Sequence, residues 1–169
     1  SGPKSKDPEK SKLTYWRWLR GDALKLGKQE TYLKEVMEQI AVSTTSAISL
    51  QTLAQKTQMG SHNTAQEYVS LLEDCFALRT FYALDPGSGA YRYRKQKKFY
   101  FTDPLIYWIA LKEARRTPPT DWAAKMAETV AANWIWHRRA QTSKLGYLAT
   151  NKNGEIDFYA QGRWAIEVK

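Results

Sequence analysis

Two short stretches near the end of the chain carry residue types that could do chemistry: Glu155-Ile156-Asp157-Phe158 and Ile166-Glu167-Val168-Lys169. Each alternates charged and apolar residues. Successive strand side chains point to opposite faces, so this is the pattern of a half-buried strand. Glu167 and Lys169 share one face, and Ile166 and Val168 the other. Gln161-Gly162-Arg163 reads as the turn between the strands. A loop of those residues pairs residue 160 with 164 and sets Asp157 directly opposite Glu167. A five-residue loop in that register does the same, whereas a two-residue loop separates the two carboxylates.

Adjacent carboxylates repel and need a cation between them. Carboxylate oxygens suit Mg²⁺ or Mn²⁺, which keep waters and bind phosphates. A lysine beside such an ion can stabilise an attacking hydroxide, while the ion neutralises charge developing on a phosphodiester. The expected chemistry is metal-dependent hydrolysis of a nucleic-acid backbone. Asp157 and Glu167 would hold the metal and Lys169 would position the nucleophile. The alternative is an ordinary amphipathic hairpin whose charges face water and pair with one another.

The elements around this hairpin follow from periodicity. Asp121 to Arg139 reads as one long helix with Trp122, Met126, Val130 and Trp134 on one side. Tyr147 to Thr150 reads as a strand, Asn151 to Gly154 as a turn, Glu155 to Tyr159 and Trp164 to Lys169 as further strands. Pro118-Pro119 ends the preceding basic stretch and marks a boundary.

Upstream, Ile48 to Asp103 reads as a winged helix-turn-helix. Ser49 caps a first helix with Leu50, Leu53 and Ala54 on one face. Gly60 supplies a left-handed corner and Ser61 a second cap. The next helix has Ala65, Tyr68, Val69 and Leu72 at core spacing. Its other face offers His62, Asn63 and Gln66 to a groove. Arg79 to Leu84 and Lys98 to Thr102 read as strands flanking a turn, Asp85 to Gly89, and a basic run of Arg92, Arg94, Lys95, Lys97 and Lys98 that would contact phosphates. Tyr32 to Val42 supplies a further helix before this unit, and Asp103-Pro104 opens an apolar one after it.

The net charge of +9 favours a polyanionic partner, with double-stranded DNA first. A lone cysteine, Cys75, rules out an internal disulfide and fits a cytoplasmic setting. No apolar run has the length of a membrane span. Gly21 and Gly27-Lys28 mimic a phosphate-binding loop, but the glycine spacing is wrong and Gln29 stands where Ser or Thr is required, so no nucleotide is expected. Ser1 to Lys12 is lysine-, serine- and proline-rich and reads as a disordered leader or cloning remnant.

The Asp…Glu-x-Lys pattern on adjacent strands resembles the PD-(D/E)XK nuclease superfamily. In that fold a helix with an acidic residue precedes the strands, and the resemblance makes Glu128, in Met126 to Val130, a fourth catalytic candidate. The whole order also resembles the C-terminal, DUF4143-type region of prokaryotic AAA-type ATPases. The likeness rests on Tyr32 to Val36, Ile48-Ser49, Glu67-Tyr68, Lys98 to Pro104 and the two hairpin stretches. It implies a winged helix followed by a nuclease-like domain, with an ATPase domain as a missing partner. The chain stops at Lys169, where the nuclease-like fold normally continues.

The expected class is α+β: a leader at 1–12, a winged helix-turn-helix at 13–117 and a truncated nuclease-like unit at 118–169. The competing expectation is a non-catalytic interaction module that docks an ATPase domain, another subunit or a second copy of itself.

Overall fold

In a computed structural model, residues 7–139, 144–149, 154–160 and 164–168 are described. The first helix, α1 (Pro8–Lys25), begins inside the stretch expected to be a leader. Asp7 accepts a hydrogen bond from the Glu9 amide, and Pro8 sits at the helix start, where its missing N–H costs nothing. Trp16, Leu19 and Ala23 are buried and hold the helix down. The leader expectation is therefore corrected for residues 8–12; residues 1–6 lie outside the described residues.

Helices α2 (Glu30–Ser43), α3 (Leu50–Gln55), α4 (His62–Asp74) and α5 (Pro104–Glu113) complete the first layer. Local chemistry places three of them. Ser49, Ser61 and Asp103 each accept a backbone N–H of the first turn. Gly60 turns the chain between α3 and α4 at a φ of 66°.

Strands β1 (Leu78–Tyr82) and β2 (Lys97–Phe101) pair antiparallel, Leu78 with Phe101 through Tyr82 with Lys97. Ile48 adds to the far side of β2 through two hydrogen bonds with Lys97, both 2.9 Å. Both faces of β2 are covered. Phe99 and Phe101 enter an apolar core with α1 to α5, whereas Tyr100 enters a second cluster with Phe81, Ala132, Ile135, Leu145 and Phe158.

That second cluster joins the rest of the chain to β1 and β2. Helix α6 (Trp122–Arg139) lies against β2, with the Asn133 amide donating to the Phe101 carbonyl at 2.8 Å. Its buried side is Met126, Glu128, Thr129, Ala132 and Ile135. The expected stripe fails in part, since Trp122, Val130 and Trp134 are exposed. Packing also runs across Pro118-Pro119: Met126 belongs to the first core and Lys125 donates to the Thr44 carbonyl at 3.0 Å.

Strands β3 (Leu145–Ala149), β4 (Glu155–Ala160) and β5 (Trp164–Ile166) form an antiparallel sheet in that order. A parallel bridge between Ala83 and Tyr147 ties β3 to the end of β1. Gly146 makes the approach feasible, because a Cβ there would lie 2.3 Å from the Tyr82 carbonyl oxygen. The α+β class expected from sequence is the class observed.

Candidate functional site

Strand β2 puts a lysine in the interior. Lys98 follows Lys97, and alternation turns it toward α6 and β4, where it is wholly buried. Its ammonium lies 2.5 Å from Glu155 Oε1, 2.7 Å from Asp157 Oδ1 and 3.4 Å from Glu128 Oε1. Glu128 comes from the buried side of α6, and Glu155 and Asp157 from β4. The Tyr100 hydroxyl, two residues along β2, donates to Glu128 Oε1 at 2.5 Å. The Val168 amide donates to Asp157 Oδ2 at 2.9 Å.

Burial shapes the electrostatics. It is the strongest influence on Lys98 and opposes its charge, but hydrogen bonds to Asp157 and Glu155 and the charge of Glu128 outweigh it, so the ammonium titrates above its ordinary value. Burial raises the Glu128 carboxyl, against the pull of Tyr100 and Lys98. Burial, with the charge of Glu128, raises the Tyr100 hydroxyl too. Tyr147, whose ring centre lies 5.8 Å from the Lys98 ammonium, is pushed up to about 12 by burial and by Glu155.

The register of the last hairpin is the one a three-residue loop requires: Ala160 pairs with Trp164 and Phe158 with Ile166. Continued by one position, it sets Asp157 opposite Glu167. The side chains nevertheless part. Glu167 is exposed, whereas Asp157 turns inward to Lys98 with its side chain 13% exposed. Asp157 is thus not on an outer, solvent-facing side as expected, because Lys98 and α6 cover it. Lys169 and the loop 161–163 lie outside the described residues.

A divalent ion requires carboxylate oxygens that converge on a common point at about 2.0–2.1 Å for Mg²⁺. Here the oxygens of Glu128, Glu155 and Asp157 converge on an ammonium. Among the described residues, no group of three His, Cys, Asp or Glu side chains is arranged to hold a metal. The residues present do not fit the expected Mg²⁺ or Mn²⁺ centre, and no hydrolytic step is derived through one.

The remaining candidates separate into two groups. Arg92, Arg94 and Lys95 are exposed on the segment joining β1 to β2. They line a groove of about 420 Å³ with Ser49, Leu84 and Tyr147. Arg92 also pairs with Asp85. Lys97 and Lys98 do not join that surface. Lys97 is buried and spends its ammonium on the carbonyls of Tyr93 (2.9 Å) and Lys95 (3.3 Å), and burial lowers its pKa. Both are corrected from phosphate contacts to interior residues, because each strand position faces protein on either side.

On α4, His62 and Asn63 are exposed. Gln66 is half-buried and donates to the Ser70 hydroxyl at 3.2 Å, while Glu67 pairs with Lys28 at 2.5 Å. Sequence reasoning missed Glu155 and Tyr100 and misplaced Lys98. The available signal was slight: Lys98 stands two positions before a tyrosine in a strand, Lys97–Phe101, whose other residues are Lys97, Phe99 and Phe101.

A sequence family described as a domain of unknown function, DUF8612, matches residues 14–116. The chain belongs to the DUF8612 family. The match runs from within α1 to just past α5 and so contains Lys98 and Tyr100, while Glu128, Glu155 and Asp157 lie beyond it. In this DUF8612 protein the ionic centre therefore joins the matched region to α6 and β4, on its C-terminal side. No curated protein and no solved structure matches the chain.

Proposed function

We propose that this DUF8612 protein is a nucleic-acid-binding module whose residues 30–101 form a winged helix and whose wing, Arg92 to Lys95, grips phosphates. The exposed cations of that wing carry the proposal. Arg92, Arg94 and Lys95 line one groove, and Asp85 is the acidic side chain that pairs with a member of the set. The order α2, Ile48, α3, α4, β1, wing, β2, with Ile48 paired to Lys97, supports the winged-helix reading. His62 and Asn63 at the start of α4 would approach base edges. Residues 118–168, a helix carrying one acidic residue, Glu128, followed by antiparallel strands, would be the nuclease-like unit that the resemblance to DUF4143-type regions implies.

The test is anisotropy of a labelled duplex titrated with the chain at several salt concentrations. Binding that weakens log-linearly with salt supports the proposal, since each neutralised phosphate releases counterions. Arg94→Ala/Lys95→Ala is expected to weaken binding to any sequence and reduce the salt slope by about two. A wild type that fails to bind at low salt would reject the reading. It would favour a module that docks an ATPase domain or another subunit, for which the exposed Phe76, Val130 and Trp134 would serve as contacts.

A further inference from the structure

Three carboxylates around one buried lysine pose a question of charge. Lys98 is 0% exposed, and the carboxylates of Glu128, Glu155 and Asp157 stand within 3.4 Å of its ammonium. An ammonium has three N–H donors, and the three carboxylates match that number. The oxygens are further satisfied from within the chain. Tyr100 donates to Glu128 Oε1 and the Val168 amide to Asp157 Oδ2.

The lysine has no way out. Its strand is buried on both faces, and Tyr147 closes over the ammonium, its own hydroxyl anchored to the Gln96 carbonyl at 2.6 Å. Glu155, its side chain 36% exposed, is the one carboxylate of the three at the surface, so a divalent ion entering among these oxygens would have to displace the wholly buried Lys98 ammonium. A buried cation deprived of its partners is strongly unfavourable.

We infer that Lys98 is a tethered counter-cation that replaces a metal ion at the Glu128–Glu155–Asp157 cluster, so that the chain holds this nuclease-like arrangement together without divalent metal. The carboxylates are structural in this state. They lock α6 and β4 onto β2, and a cation site exists only when the lysine charge is gone.

Mn²⁺ binding, read by loss of the free-ion electron paramagnetic resonance signal, tests this on the full chain and does not depend on whether DNA binds. The wild type is expected to take up no Mn²⁺ in an Asp157-dependent manner, and its melting temperature should be the same in Mg²⁺ and in EDTA. Lys98→Ala should gain saturable Mn²⁺ binding, at least about tenfold tighter than the wild type, because three carboxylates then face a space the size of the lost side chain. Adding Asp157→Asn to that variant should abolish the gain. Saturable Mn²⁺ uptake by the wild type that Asp157→Asn removes would overturn the inference, as would a folded Lys98→Ala that ignores metal. Should Lys98→Ala fold only when Mn²⁺ is supplied, the inference is supported. Should it fail to fold even then, the wild-type titration decides by itself.

Discussion

The two faces of β2 are built from opposite chemistry. Phe99 and Phe101 go into a core of apolar side chains from all six helices. Lys98 and Tyr100, alternating with them, go into a core whose polar centre is an ammonium, a hydroxyl and three carboxylates. The apolar face needs only volume and shape, and many residues contribute a little each. The ionic face depends on its one lysine, since removing that charge leaves Asp157 and Glu128 without a counter-ion in a low-dielectric interior. A single strand thus joins a forgiving core to an unforgiving one.

Substitutions on the two faces should separate these behaviours. Phe99→Ala is expected to cost about 3–5 kcal/mol of unfolding free energy in urea, through lost burial and a cavity. That cost should be flat with pH. Lys98→Met keeps most of the volume and removes the charge, and it should cost about 3 kcal/mol near neutral pH. Its cost should shrink in acid, because protonation then relieves the unpaired carboxylates. A pH-independent cost for Lys98→Met would erase the distinction between the faces.

Gly146→Ala tests the seam that brings β4 to Lys98. The added Cβ meets the Tyr82 carbonyl at 2.3 Å, so β3 must shift away from β1 at a cost of about 1–3 kcal/mol. Differential scanning calorimetry would show it as a lowered Tm. The smallest change is expected from Glu128→Gln. The Glu128 carboxyl titrates above its ordinary 4.5 because burial disfavours its charge. A folded-state pKa raised above the unfolded one gives stability that is complete below about 4.5 and lost as pH rises through the folded value. Glutamine suffers no such loss, so the variant should gain on the wild type as pH rises from 4.5 toward neutrality. Urea melts of both proteins across that range would show the opposite trend if the carboxyl were held ionised by Lys98.

Much of the apolar layer was legible because its signals are local. A serine or aspartate accepting a hydrogen bond from a first-turn amide announces α3, α4 and α5 within four residues of sequence. The same signal, Asp7-Pro8, opens α1, where a lysine- and serine-rich composition masked it. Strand alternation left the hairpin register to the loop length, and the pairing of Ala160 with Trp164 is the one expected for the three-residue loop Gln161-Gly162-Arg163. On α6 the sequence spread its apolar residues around the helix. Contact with β2 selected Met126, Thr129, Ala132 and Ile135 and left Val130 and Trp134 in water.

The sequence by itself determined the α+β class, the order of elements after α1, the basic segment at 92–95 and, for a three-residue loop, the facing positions of residues 157 and 167, since caps, periodicity and turn chemistry act over a few residues. Only the tertiary structure decided what the carboxylates face. The partner of Asp157 lies 59 residues upstream, in a strand whose lysine looked like one more surface cation. Whether a lysine is buried depends on charges brought to it from distant elements, and the residues beside Lys98 do not name those partners.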